Sequence, residues 1–173
     1  LWLPNLTNWK VAMLKAVSNT SPLLYFYRIG GIDWLPQLFE QVWIPEAVRE
    51  ELEAGRSKGY DVPDPEDCPW LEVVNPKSMP SEWLVRDLGV GEMAVIALGL
   101  ENPERIVLLD DMLARRTAKA AGLQVWGTLR MLLEAKSHGI IDAVRPYLSR
   151  LSDSGMWMST EIRKRILKLA GEC

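Results

Sequence analysis

Apolar residues along this chain fall into two rhythms, short unbroken runs and longer stretches in which they recur at helical spacing. The clearest juxtaposition lies at 106–122, IVLLDDMLARRTAKAAG. Ile106 to Leu109 form a continuous, partly β-branched apolar run, Asp110 and Asp111 halt it, and an Ala-, Arg- and Lys-rich stretch continues to Gly122. This pattern predicts a buried strand feeding directly into a helix. Upstream, MLKAV from Met13 leads into Ser18-Asn19-Thr20-Ser21-Pro22, a strand ending in a polar turn. Ser or Thr at the cap and Pro at the first helical position then predict a helix over Leu23 to Ile29. Gly30-Gly31 stop it, and a short helix follows through Trp34 and Leu38.

The alternation continues to the end. A strand over Gln41 to Ile44 is halted by Pro45, and PEAVREELEAG predicts a helix closing at Gly55. Arg56 to Pro69 is loop-like, Trp70 to Val74 a strand, and Pro76 to Leu88 a connection with a short helix. In Gly89 to Leu100 everything from Met93 to Leu98 is apolar, so this helix is expected to be buried on most sides. A short strand over Gln124 to Trp126 is followed by helices from Gly127-Thr128 to His138, Asp142 to Leu151 and Ser159 to Gly171. Strands alternating with helices imply a three-layer α/β/α fold with a mostly parallel central sheet. Residues 1–12 show no clear periodicity and are read as an extension outside the fold, leaving 13–173 as a single domain.

Composition narrows the chemistry. The net charge is −3, which opposes coating of nucleic acid through a general positive field; such binding needs a local basic patch or metal ions. No apolar run is long enough to span a bilayer and no secretory leader is evident, so the expected location is cytoplasmic, without membrane contact. Two cysteines, Cys68 and Cys173, give no zinc pattern or disulfide framework. The sole histidine, His138, sits before Gly139 at a helix end, where a donor side chain suits the dipole. The eight tryptophans lack stacking periodicity and are read as core and interface residues.

Carboxylates are the remaining candidates. Asp110 and Asp111 stand at the end of a strand, where open α/β sheets bind ligands. One Asp suffices to cap the next helix, so the second asks for another role. On the helix after Pro45, Ala47, Val48 and Leu52 form the apolar stripe and Glu51 lies on it. A carboxylate there needs a partner, unless it sits at the stripe's edge and reaches water. Glu92 is the only charge in its helix, again either functional or a first-turn acid favoured by the dipole. With Asn19 these residues come from separate elements that can meet at one rim of the sheet. Clustered carboxylates without Cys or His select Mg²⁺ or Mn²⁺.

Five segments in order, VSNTSPL (17–23), IPEAVREEL (44–52), GVGEMAVIAL (89–98), LLDDMLARRTAKAAGL (108–123) and WGTLRMLLEAK (126–136), resemble the PIN-domain family, in particular a toxin-like branch. The resemblance implies a PIN-like fold and a Mg²⁺- or Mn²⁺-dependent ribonuclease, usually the toxin of a toxin–antitoxin pair. RNA as substrate, a cognate antitoxin protein and a homodimer are the partners it implies. Carried onto this chain, its acidic sites fall on Asn19, Glu51, Glu92 and Asp111, with Asp110 alongside. Asn19, Glu51, Glu92 and Asp111 would ligate the metal, and Thr20, Ser21 and Arg115 would contact substrate. Arg115 also stands one turn from Asp111, where an ion pair between them is the alternative. Asn19 departs from the pattern, because an amide supplies no negative charge and no base. A weakened module that binds RNA or a protein without cleaving is therefore the second expectation.

Overall fold

The computed structural model describes residues 14–80 and 87–173. Its strands are β1 (Lys15–Ser18), β2 (Gln41–Ile44), β3 (Leu71–Val73), β4 (Ile106–Leu108) and β5 (Val125–Trp126). Among the described residues the helices are α1 (Thr20–Arg28), α2 (Leu35–Leu38), α3 (Glu46–Ser57), α4 (Val90–Glu101), α5 (Met112–Ala120), α6 (Thr128–Ser137), α7 (Arg145–Asp153) and α8 (Thr160–Leu169). The expected extension over residues 1–12 lies outside the described residues, as do residues 81–86 of the connection expected between Pro76 and Leu88.

The strands form one sheet in the order β3-β2-β1-β4-β5, with every neighbouring pair parallel. Parallel neighbours need long crossovers, and helices supply them. Strand order reverses beside β1, so right-handed connections send the first crossovers to one face and α4 and α5 to the other. The result is a three-layer α/β/α arrangement. Because both faces are covered, β1 and β4 are almost wholly buried and carry apolar residues without alternation. Ala16, Val17, Val107 and Leu109 are fully buried with Leu23, Phe26, Val95 and Leu98 packed around them. A second cluster, centred on Leu132, Leu148, Leu151 and Ile166, holds α6, α7 and α8 together.

Three expected boundaries move, each for a local reason. Helix α1 begins at Thr20, not Leu23, with Asn19 as its N-cap. Pro22 then occupies the first turn, where its missing N–H removes no helical bond. Helix α3 runs through Gly55 to Ser57, and Gly59, at φ +81°, ends it. A Cβ at Gly55 would stand 3.3 Å from Val62, so the glycine there serves close packing of the following loop. Helix α7 starts at Arg145, not Asp142, because its first N–H groups are capped from afar. Glu172 accepts from Val144 N (2.6 Å) and Arg145 N (3.0 Å), and from Lys136 Nζ (2.8 Å).

At the amino edge of the sheet, Arg105 is buried without a carboxylate partner among the described residues. Its Nη1 donates to Ala16 O (3.2 Å), its Nη2 to the Gln41 side chain, and its guanidinium lies over the Trp43 ring. Desolvation pulls its pKa below the ordinary arginine value.

Burial pushes the Glu172 carboxyl up, but its bonds to Lys136, Val144 and Arg145 outweigh this and leave its pKa below the usual glutamate value. A depressed folded pKa stabilises above the unfolded value and is lost as pH falls through the folded one. Glu172→Gln should therefore lower the melting temperature at pH 7 by about 2–8 °C, a cost of about 1 kcal/mol. Thermal melts across pH 3–7 check this: the difference should shrink towards the acid end. A constant difference would refute the electrostatic origin.

Candidate active site at the carboxyl edge of the sheet

Adjacent β1 and β4 bring the ends of two remote segments together. Asn19 N donates to Leu108 O (3.0 Å), extending the ladder one residue beyond Ser18 and setting Asn19 beside the Leu109-Asp110 turn. The N-termini of α1, α4, α5 and α6 gather at this edge. Their unpaired N–H groups and dipoles make it favourable to anions.

Asn19 occupies the N-cap of α1 but makes no side-chain cap bond. It is 6% exposed, and its Oδ1 is buried without a hydrogen-bond partner among the described residues. A buried acceptor left unsatisfied costs about 1–3 kcal/mol. Glu51 reaches the same place from α3. Thr20 Oγ1 donates to Glu51 Oε2 at 2.5 Å, fixing the carboxylate across from Asn19. The third wall is Gly91, on the first turn of α4. A Cβ there would lie 2.8 Å from Glu51 Oε1 and 3.1 Å from Asn19 Oδ1. Only glycine leaves those two oxygens their present positions.

The acidic residues take different places. Glu51 is exposed, so it sits at the edge of the α3 stripe and reaches water; the buried stripe is Val48 and Leu52. Glu92 and Asp111 do not converge with it as their side chains stand. Glu92 Oε2 accepts from Gly89 N (2.9 Å), closing the α4 N-terminus, and Asp111 caps α5 by accepting from Ala114 N (2.9 Å). Among the described residues, no three carboxylate, His or Cys side chains meet where an ion could be held. The part of the site that fits a hard divalent cation is the oxygen pair of Asn19 and Glu51, with its orphaned buried amide oxygen and its glycine wall.

Asp110 is the surplus carboxylate, and its partner is remote. Its Oδ1 accepts from Thr128 N (2.8 Å) and its Oδ2 from Thr128 Oγ1 (2.7 Å), so it caps α6 from the end of β4. Burial pushes its pKa up, against the Thr128 bonds and the Arg115 charge, which pull it down. Arg115 does not pair with Asp111. Its guanidinium passes against Gly127, where any side chain would collide with it, and lies near Asp110. Ser21 is half-buried in the first turn of α1. Tyr25, also half-buried, faces the same groove, and burial and the Asp110 charge push its hydroxyl pKa up. His138 ends α6, its Nδ1 2.7 Å from Glu134 O, away from this edge.

Sequence reasoning missed Gly91, Thr128 and Tyr25. The first two were visible only as a helix-entry glycine and a helix-opening threonine; Tyr25 carried no signal.

A family model described as a PIN domain matches residues 15–172. No curated protein and no solved structure gives a significant match.

Asp110→Asn is nearly isosteric, and its amide can still accept from Thr128 N while donating to Thr128 Oγ1. A carboxyl whose folded pKa is raised lowers stability once ionised, a penalty absent at acid pH that grows as pH rises through the folded pKa. Urea unfolding from pH 4 to 8 should show Asp110→Asn at least as stable as the parent, its advantage rising with pH. Thr128→Val should cost about 1–3 kcal/mol throughout. Strong destabilisation of Asp110→Asn at pH 8 would contradict the assignment.

Proposed function

The chain belongs to the PIN-domain family, and from that premise we propose that it is a metal-dependent ribonuclease, the toxin of a toxin–antitoxin pair. The fold is a nuclease-type fold, and the observation that carries the reading is the oxygen pair at Gly91. An amide oxygen nine-tenths buried without a donor, beside a carboxylate held by Thr20, is explained by a cation that completes both. Oxygen donors without Cys or His favour Mg²⁺ or Mn²⁺. Such an ion, when bound, activates water and offsets the charge of a phosphodiester.

The chain's own residues supply the rest. Asn19 and Glu51 would hold the ion, with Thr20 orienting Glu51. Glu92 and Asp111 would add to the ligand set only with their bonds to Gly89 and Ala114 released, at about 0.5–2 kcal/mol each. Arg115 offers a cation to the phosphate, Ser21 and Thr20 line the approach, and Asp110 positions α6 against β4 through Thr128. RNA as substrate, a cognate antitoxin and a homodimer belong to the same reading.

One observation favours the second reading, a PIN module that binds RNA or a protein without cleaving it. Asn19 stands where the family pattern has its first acid, so the pair carries one negative charge in place of two. Cation affinity falls accordingly.

Cleavage of labelled RNA by purified protein with Mn²⁺ or Mg²⁺, and then EDTA, separates the two. Parent activity is expected to be weak and abolished by EDTA. Asn19→Asp should raise it about tenfold or more, equivalent to about 1.4 kcal/mol, and Glu51→Gln should remove it. Gly91→Ala should keep the fold, since alanine suits a helix better than glycine, but lose cleavage by displacing the Glu51 carboxylate. Cleavage that persists in EDTA would refute the metal-dependent reading. No cleavage by either parent or Asn19→Asp leaves the binding module.

A further inference from the structure

Trp157 is 83% exposed, more than any other large hydrophobic side chain among the described residues. Its position is not that of a loose loop tip. Met156 N donates to Leu151 O (3.0 Å), Arg28 Nη1 donates to Ser154 O (3.2 Å), and Met156 packs against the α6–α8 core. Ser159 then caps α8 through Ile162 N. The turn is anchored on both sides of the indole, so holding the ring in water is a fixed property of the fold. Exposing an aromatic ring of this size forgoes the stabilisation that its burial would give.

What lies beside the ring gives it a use. Trp157 lines a cavity of about 250 Å³ with Tyr25, Leu129, Met156, Asp110 and Arg115. Asp110 and Arg115 also line a second groove, of about 320 Å³, which continues along α5 past Met112 and Arg116 to Lys119. Arg115 and Arg116 each lie one helical turn from Lys119 on α5. In a chain of net charge −3 this is a local reversal of sign. The two cavities share Asp110 and Arg115, so the indole and the cations of α5 lie on either side of the same pair of residues at the carboxyl edge of the sheet.

Taking the RNA-hydrolase reading as its basis, we infer that this surface binds single-stranded RNA, with an unpaired base stacked on Trp157 and the adjoining phosphates over the cations of α5. The chemistry is complementary at both ends. A base presents a flat π-face to the indole and, unlike a base in a duplex, is free to leave its stack. The phosphates carry the charge that Arg115, Arg116 and Lys119 attract. A protein partner would account for the indole but not for the cations of α5 on the far side of Asp110. Trp157 acts here as a substrate-binding residue that selects unpaired RNA, and takes no part in the chemical step.

The test is direct binding of the full chain to a fluorescently labelled single-stranded RNA in EDTA, so that affinity is read without cleavage, alongside the same strand in a duplex. Trp157→Ala should weaken single-strand binding about 5- to 150-fold, leave duplex binding unchanged, and leave the melting temperature within a degree or two. Trp157→Phe should restore most of the affinity, because a ring remains to stack on. Arg116→Glu should weaken binding and flatten its dependence on salt. Unchanged single-strand affinity in Trp157→Ala, or an equal loss on duplex, overturns the assignment. So does unchanged RNA affinity accompanied by altered self-association in size-exclusion chromatography, which identifies the indole as a protein contact. Trp157-dependent binding without metal-dependent cleavage supports the RNA-binding surface and refutes the hydrolase; cleavage with Trp157-independent binding does the reverse.

Discussion

The parallel pairing of β1 with β4 is the constraint on which the arrangement depends. Ala16 sits opposite Ile106 and Ser18 opposite Leu108, so two segments separated by half the chain share one ladder. That register alone sets Asn19 beside the end of β4, since Asn19 N continues the ladder to Leu108 O. A slip of one residue would turn the side chains of β1 to opposite faces and separate the two ends. Val17, Val107 and Leu109 resist it, because each is fully buried and would exchange a packed face for the wrong one. The polar edge is held in place by the apolar strands beneath it.

At that edge the same few carboxylates have two competing uses. Helices α1, α4, α5 and α6 begin there, as does α3, and each leaves N–H groups that need acceptors. Glu92, Asp111 and Asp110 answer three of them, through Gly89, Ala114 and Thr128. Acids attracted to positive helix ends are also the acids that a cation would draw together, so capping and metal holding draw on one set of oxygens. Asn19 and Glu51 differ from the others. Glu51 is fixed by a hydroxyl of α1, and Asn19 makes no cap although it stands in the cap position.

Much of the fold was readable from the chain because its signals are local. The unbroken apolar run of β4, the short Ala16-Val17 pair of β1 and the apolar stretch of α4 each follow from burial on both sides, and the family match agrees with the segments that carried the resemblance. The site was readable only in part. Asp110 and Asp111 look equivalent in sequence, yet one caps the helix that follows it and the other caps a helix beginning at Thr128, a pairing that no local pattern encodes. Glu51 was placed on the correct helix, but its exposure depended on where α1 and α4 approach. Gly55 gave a false stop because close packing with Val62 and helix termination call for the same residue. Trp157 was indistinguishable from core tryptophans, since exposure belongs to the folded turn and not to the residue type.

Arg105 gives the opposite end of the sheet a different character. Its guanidinium holds a carbonyl of β1 and a side chain of β2 from the residue that opens β4, and it stacks on Trp43. Three strands are thereby riveted at their amino ends, while their carboxyl ends stay open to solvent and ligand. Thermal fluctuations should accordingly be graded along each strand. Amide hydrogens of Ala16 and Val107 should exchange with deuterium only through whole-molecule unfolding, whereas those of the loops beyond Ser18 and Leu109 exchange through small local openings.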